Sequence, residues 1–154
     1  MAEAGPDRQK LREKIQFIRS TLRQLEDIRD DGRDAFLAGK VPQYAAVRCI
    51  QVAVEAILDS ANHIIAREGL GLPKTYAGSV RLLVEAGILP PDKKDDFERM
   101  IRFRNRAVHL YDEIDPAEVF AIMENNLDDF EVFVRAITQR YFLDRDEAEN
   151  ESRA

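Results

Sequence analysis

Residues 42–67, PQYAAVRCIQVAVEAILDSANHIIAR, decide the fold. Ala45, Val47, Ile50, Val54, Ile57, Leu58, Ala61, Ile64 and Ile65 recur closely enough to cover most of the girth of one helix. A helix that is apolar on most sides needs neighbours on most sides, which makes it the centre of a helical bundle. One polar strip survives on it: Arg48, Gln51, Glu55, Asp59 and Asn62 step by three, four, four and three. The strip is either a solvated edge or a buried polar ladder facing the segment 103–111. Glu55 and Asp59, one turn apart, repel each other unless a cation answers them.

Working outward, Leu11, Ile15, Ile18, Leu22 and Leu25 form a narrow apolar stripe on a first helix predicted over about 8–38, continued by Ile28 and Phe36 with Gly32 in the stripe. A seam this narrow also suits pairing between chains. Gly39 to Pro42 make a turn, with Pro42 suited to open the central helix. Gly69-Leu70-Gly71-Leu72-Pro73 ends that helix, and a short helix follows near 75–86. Pro90-Pro91 resets the chain, and the next helix carries Phe103 to Tyr111. Asp115-Pro116-Ala117-Glu118 is a start signal with Asp as N-cap and Pro at the first helical position. The last helix is predicted over about 116–142 on Val119, Ile122, Phe130, Phe133 and Ile137. These elements predict an all-α, antiparallel bundle of four long helices and one short one. It forms one domain over 1–143, followed by an acidic, disordered tail over 144–154.

The chain has 154 residues, 45% apolar and 34% charged, enough for one domain with a real core. Its net charge of −6 excludes a surface that is basic throughout, so any nucleic-acid contact has to be local. The single Cys49 excludes an intramolecular disulfide and fits a reducing compartment. No stretch reads as the roughly 20 apolar residues of a membrane span, and the N-terminus carries no signal-peptide core. The expectation is a soluble, cytoplasmic protein with no membrane contact.

The most basic stretch, Lys93 to Arg106, holds six basic and three acidic residues. On an ideal helix Phe97, Met100, Ile101, Phe103, Ala107, Val108, Leu110 and Tyr111 fill half the circumference, with Arg104 near the middle of that half. A buried unpaired charge is costly. Arg104 therefore needs a partner: a carboxylate of the polar strip (Glu55 or Asp59), a second copy of the chain, or a phosphate, which arginine grips with two prongs. His109 follows five residues on, about 140° around and about 7.5 Å along the axis. The two side chains share a site if the helix loosens before the Asp112-Glu113-Ile114 loop or if two protomers face each other. Metal-free RNA cleavage through the 2′-hydroxyl needs a base and an acid, which two copies of His109 supply, while an arginine stabilises the developing phosphorane charge. His63, on the apolar central helix, reads as structural. No glycine-rich phosphate loop, metal-ligand cluster or Ser/His/Asp arrangement is present, so neither metal nor cofactor is expected.

Arg104-Asn105-Arg106-Ala107-Val108-His109-Leu110-Tyr111 fits the R-x4-H-x-Y motif of the HepT-like toxins of the HEPN superfamily, all-helical ribonucleases. The chain resembles that family over about residues 8–140, including Asp59 to Ile65, Leu83 to Pro90 and Leu127 to Glu131. The resemblance implies a homodimeric, metal-independent ribonuclease, the toxin of a type VII-like pair. Arg104 would clamp phosphate, His109 would act as acid and base, and Asn105 would orient the pair. From the residues themselves, Glu55 and Asp59 are expected to support them, and Arg102 and Arg106 of the basic stretch to hold RNA. The resemblance also implies a partner, an MNT-type nucleotidyltransferase antitoxin that transfers AMP onto Tyr111. Two other readings stay open: a non-catalytic helical dimer that regulates a nucleotidyltransferase, and a plain interaction module.

Overall fold

The computed structural model describes residues 5–143 and contains helices and no strand among them; the tail predicted at 144–154 lies outside them. The helices are α1 (Arg8–Asp30), α2 (Arg33–Ala38), α3 (Lys40–Glu68), α4 (Tyr76–Glu85), α5 (Lys94–His109), α6 (Pro116–Asn125) and α7 (Leu127–Thr138). Short 3-10 turns precede and follow α5, and a π-helical turn, Gln139–Leu143, continues α7.

The central place of 42–67 is borne out. α3 packs against α1, α2, α4, α5, α6 and α7, and Ile50, Val54, Ile57, Leu58, Ala61, Ile64 and Ile65 are buried. By length and composition α3 is apolar enough to cross a membrane, but 56% of that apolar window is buried inside the fold, where the helix serves as the core. It ends where the sequence predicts. Gly69 takes the left-handed conformation at φ 66°, and the Leu70 amide donates to the Ile65 carbonyl at 3.0 Å, the arrangement a glycine C-cap permits.

Two predicted long helices are each two helices. The first stripe breaks at Gly32, whose φ of 97° and ψ of 158° lie in a region open in practice only to glycine. The break lets α2 turn while Phe36 still reaches the core, its ring 5.5 Å from that of Phe120. The last stripe breaks at Asn126, φ −123° and ψ 3°, between α6 and α7. Asp115 caps α6 as expected, its carboxylate accepting from the Ala117 amide at 2.9 Å. Glu118 does not complete a capping box; it reaches across to Arg106. His63 is structural: its Nε2 accepts the Asp7 backbone N–H at 2.9 Å, tying the start of α1 to α3.

Candidate active site

The polar strip of α3 divides among three neighbouring helices. Glu55 faces α5, where its Oε1 stands 3.5 Å from Arg104 Nε; Gln51 donates to the same carboxylate at 2.8 Å. Asp59 turns the other way, to Lys14 of α1 at 3.2 Å, so it takes no part in the surroundings of Arg104. Asn62 faces α4, its Oδ1 accepting the Ser79 hydroxyl at 2.6 Å.

Arg104 is mostly buried, with 19% of its side chain exposed. Its Nη1 donates to Asn105 Oδ1 at 3.2 Å, and its guanidinium carbon lies 5.5 Å from the centre of the Tyr76 ring. Its Nε is buried without a hydrogen-bond partner among the described residues. Glu55 is close enough to attract the charge but is not aligned to accept that N–H.

Between α3, the loop 71–75, the start of α4 and the outer face of α5 runs an open cleft of about 880 Å³. Arg104, Asn105 and His109 all line it, with Arg102, Lys74 and Tyr76. His109 is the last residue of α5, and Leu110 leaves the helix at φ −132° and ψ 43°. The helix thus stops at His109, and the histidine and Arg104 open on one cleft within a single chain. Among the ionisable residues lining the cleft, Lys74, Arg102 and Arg104 stand against one carboxylate, Glu98, which itself lies 3.9 Å from Lys94.

Arg106 lies elsewhere. It grips Glu118 with both prongs, Nη1 to Oε2 at 3.0 Å and Nη2 to Oε1 closer still, and it borders a separate cavity behind α5 with Met100 and Phe103. The hydrogen bond and charge of Glu118 raise the pKa of the guanidinium further. Tyr111 is outside the cleft. It is 40% exposed, and its ring lies 5.7 Å from that of Tyr44, tilted by 38°. Partial burial, Tyr44 and Asp112 push its phenol above the ordinary pKa. Val108 and Leu110 beside it are also exposed. Among the described residues no group of three or more His, Cys, Asp or Glu side chains is gathered as a metal site.

Residues 18–137 match the ribonuclease HepT-like family. The chain belongs to that family. The likeness read in Arg104 to Tyr111 is thereby borne out. This HepT-like chain is 30% identical over 124 residues to an mRNA nuclease HepT from Shewanella oneidensis, covering 80% of this chain and 92% of the relative. It is 28% identical over 127 residues to a tRNA nuclease HepT from Aphanizomenon flos-aquae, covering 80% and 84%. Its fold is similar to that of a tri-AMPylated Shewanella oneidensis HEPN toxin solved in complex with an MNT antitoxin, with a TM-score of 0.79, 28% identity, and coverage of 84% of this chain and 97% of that one.

Sequence reasoning missed much of the other wall of this HepT-like cleft: Tyr76, Lys74 and Ser79, the partner of Asn62. The only sequence sign of Tyr76 is its place directly after Thr75, which caps α4 by accepting the Gly78 amide at 2.9 Å.

Proposed function

We propose that this HepT-like chain is a cytoplasmic, metal-independent endoribonuclease, the toxin of a toxin–antitoxin pair, acting as a homodimer through Arg104 and His109. The observation that carries this reading is the shared cleft: motif arginine and motif histidine line it together, and cations outnumber carboxylates along it.

The chemistry follows from those groups. The RNA phosphate meets Arg104, whose position Asn105 steadies. Neutral His109 takes the proton as the 2′-oxygen attacks the adjacent phosphorus. The bond from phosphorus to the 5′-oxygen breaks, and that oxygen takes a proton from the partner's His109 in its charged form. The products are a 2′,3′-cyclic phosphate and a 5′-hydroxyl. Each proton transfer contributes about 10²–10⁴-fold, and a positioned cation at the phosphorane a comparable amount. The exposed apolar run Val108, Leu110 and Tyr111, with Tyr44, supports a protein partner on that face.

The regulating partner is an MNT-type nucleotidyltransferase that couples AMP to the Tyr111 oxygen, with pyrophosphate leaving from ATP. An exposed phenol supports this role, as does the AMPylated state of the similar Shewanella toxin. A new phosphodiester charge there repels an incoming RNA backbone. The test is RNA cleavage by the purified chain in excess EDTA. Wild type is expected to cleave, Arg104→Ala and His109→Ala to fail, and full activity in both variants would refute the assignment.

A further inference from the structure

Among the described residues lining the cleft Tyr76 is the only Phe, Tyr or Trp, and it stays 39% exposed. It is also firmly placed. It is the first residue of α4, directly after the Thr75 cap, and three residues on Ser79 is buried and donates to Asn62 of α3. One side of the ring meets the Arg104 guanidinium at 5.5 Å. The apolar surfaces of Ile65, Ala66, Leu72 and Pro73 border the same space. The Asn62 amide oxygen is taken by Ser79, and its amide nitrogen has no partner among the described residues.

An aromatic ring on a rigid helix start, next to a phosphate-binding arginine, is what a splayed-out nucleobase stacks on in single-stranded RNA. We propose that Tyr76 is the stacking platform for a nucleobase adjacent to the phosphate held by Arg104. The Asn62 amide nitrogen then donates to an acceptor on the edge of that base. This rests on the RNA-cleaving reading of the cleft and adds to it a subsite selective for unpaired bases. Base pairing hides both the face and the edge that these residues use, so duplex RNA is refused. Tyr76 does no chemistry; it positions the strand.

The chain contains no tryptophan, so Tyr76→Trp installs a single reporter at the platform. In the His109→Ala background, oligouridylate or oligoadenylate is expected to quench its emission. An abasic ribose-phosphate oligomer of equal length is not. In the wild-type background, Tyr76→Ala is expected to raise KM for the base-bearing oligomer by about fivefold or more and to leave kcat and the abasic substrate nearly unchanged, while Tyr76→Phe behaves as wild type. A residue that merely props Arg104 would weaken both substrates alike, and that result, or equal quenching by the abasic oligomer, overturns the proposal. Quenching by base-bearing RNA without any cleavage by wild type would sink the nuclease reading and leave the platform standing. Cleavage by wild type with no base dependence would do the reverse.

Discussion

Arg104 Nε lies 3.5 Å from Glu55 Oε1 yet is buried without a hydrogen-bond partner among the described residues. The carboxylate holds the charge by attraction alone; Nη1 is engaged by Asn105 Oδ1, which leaves Nη2 to meet another anion. A side chain kept in this state contributes little to stability, because a buried unpartnered donor costs about 1–3 kcal/mol. Arg104→Ala is therefore expected to cut RNA cleavage at least about 100-fold while the melting temperature holds or rises. Arg104→Lys should not restore activity, since an ammonium lacks the fork. Cleavage rates and thermal unfolding, measured on the same preparations, check both halves.

Arg102 and Arg106 are four residues apart and do different work. Arg102 lines the cleft, and Arg106 is held by Glu118. Replacing Arg102 with alanine is expected to lower the salt dependence of RNA affinity by roughly one phosphate contact, a slope change of about 0.7 for a single strand. Arg106→Ala should leave that slope alone and cost about 1 kcal/mol of stability, the upper end for a partly exposed pair. Binding titrations at several salt concentrations separate the two.

The Tyr111 phenol is raised by partial burial first, then by Tyr44 and Asp112. A raised phenol resists ionising, so on the proposed reading the transferase supplies the base for AMP transfer. Tyr111→Phe is expected to abolish AMP incorporation and to keep RNA cleavage. Asp112→Asn removes the carboxylate that raises the phenol and should speed incorporation a few-fold, no more, because burial stays. Intact-mass spectra of the toxin incubated with antitoxin and ATP give both results.

His63 and Asp129 give opposite pH dependences of stability. Burial, Lys10 and Arg67 lower the His63 pKa against the pull of Asp7, and the neutral ring accepts the Asp7 amide. Its contribution is complete above the ordinary imidazole value and is lost as pH falls through the lowered one. Burial and Asp96 raise the Asp129 pKa, offset in part by Asn126, Lys93 and Arg99. The folded protein holds that proton more tightly, so this contribution is lost as pH rises from the ordinary carboxylate value through the raised one. His63→Gln keeps an acceptor without titrating and should flatten the melting profile below about pH 6.5. Asp129→Asn should stabilise the protein at neutral pH.

Gly32→Ala tests the break between α1 and α2. Nothing lies within 4 Å of an added Cβ, so the cost is backbone strain alone, about 1–3 kcal/mol at a φ of 97°. Chemical denaturation should show that loss while the cleft keeps its activity.

That break also marks where sequence reading stopped. The stripe from Leu11 to Leu25 continues through Ile28 to Phe36, so periodicity gives no sign that the helix axis turns at Gly32; the same holds across Asn126. Caps are chemical rather than periodic signals, and Gly69 and Asp115 were readable for that reason. The need for a partner at Arg104 was legible from its place on an apolar face. Which carboxylate answers it was not, since Glu55 and Asp59 share one strip and only packing sends the second to Lys14. Tyr76 was hidden because its partner is 28 residues away and the cleft exists only once α4 docks on α5.

On the proposed reading Arg104 and His109 cleave RNA by turning its own 2′-hydroxyl on the phosphate, and the ends of the RNA fragments test this most directly. In excess EDTA, wild-type protein is predicted to leave 2′,3′-cyclic phosphate and 5′-hydroxyl termini, with none formed by His109→Ala or on a 2′-deoxy substrate. Fragments ending in 3′-hydroxyl and 5′-phosphate, or cleavage that vanishes with the metal and survives His109→Ala, would contradict it.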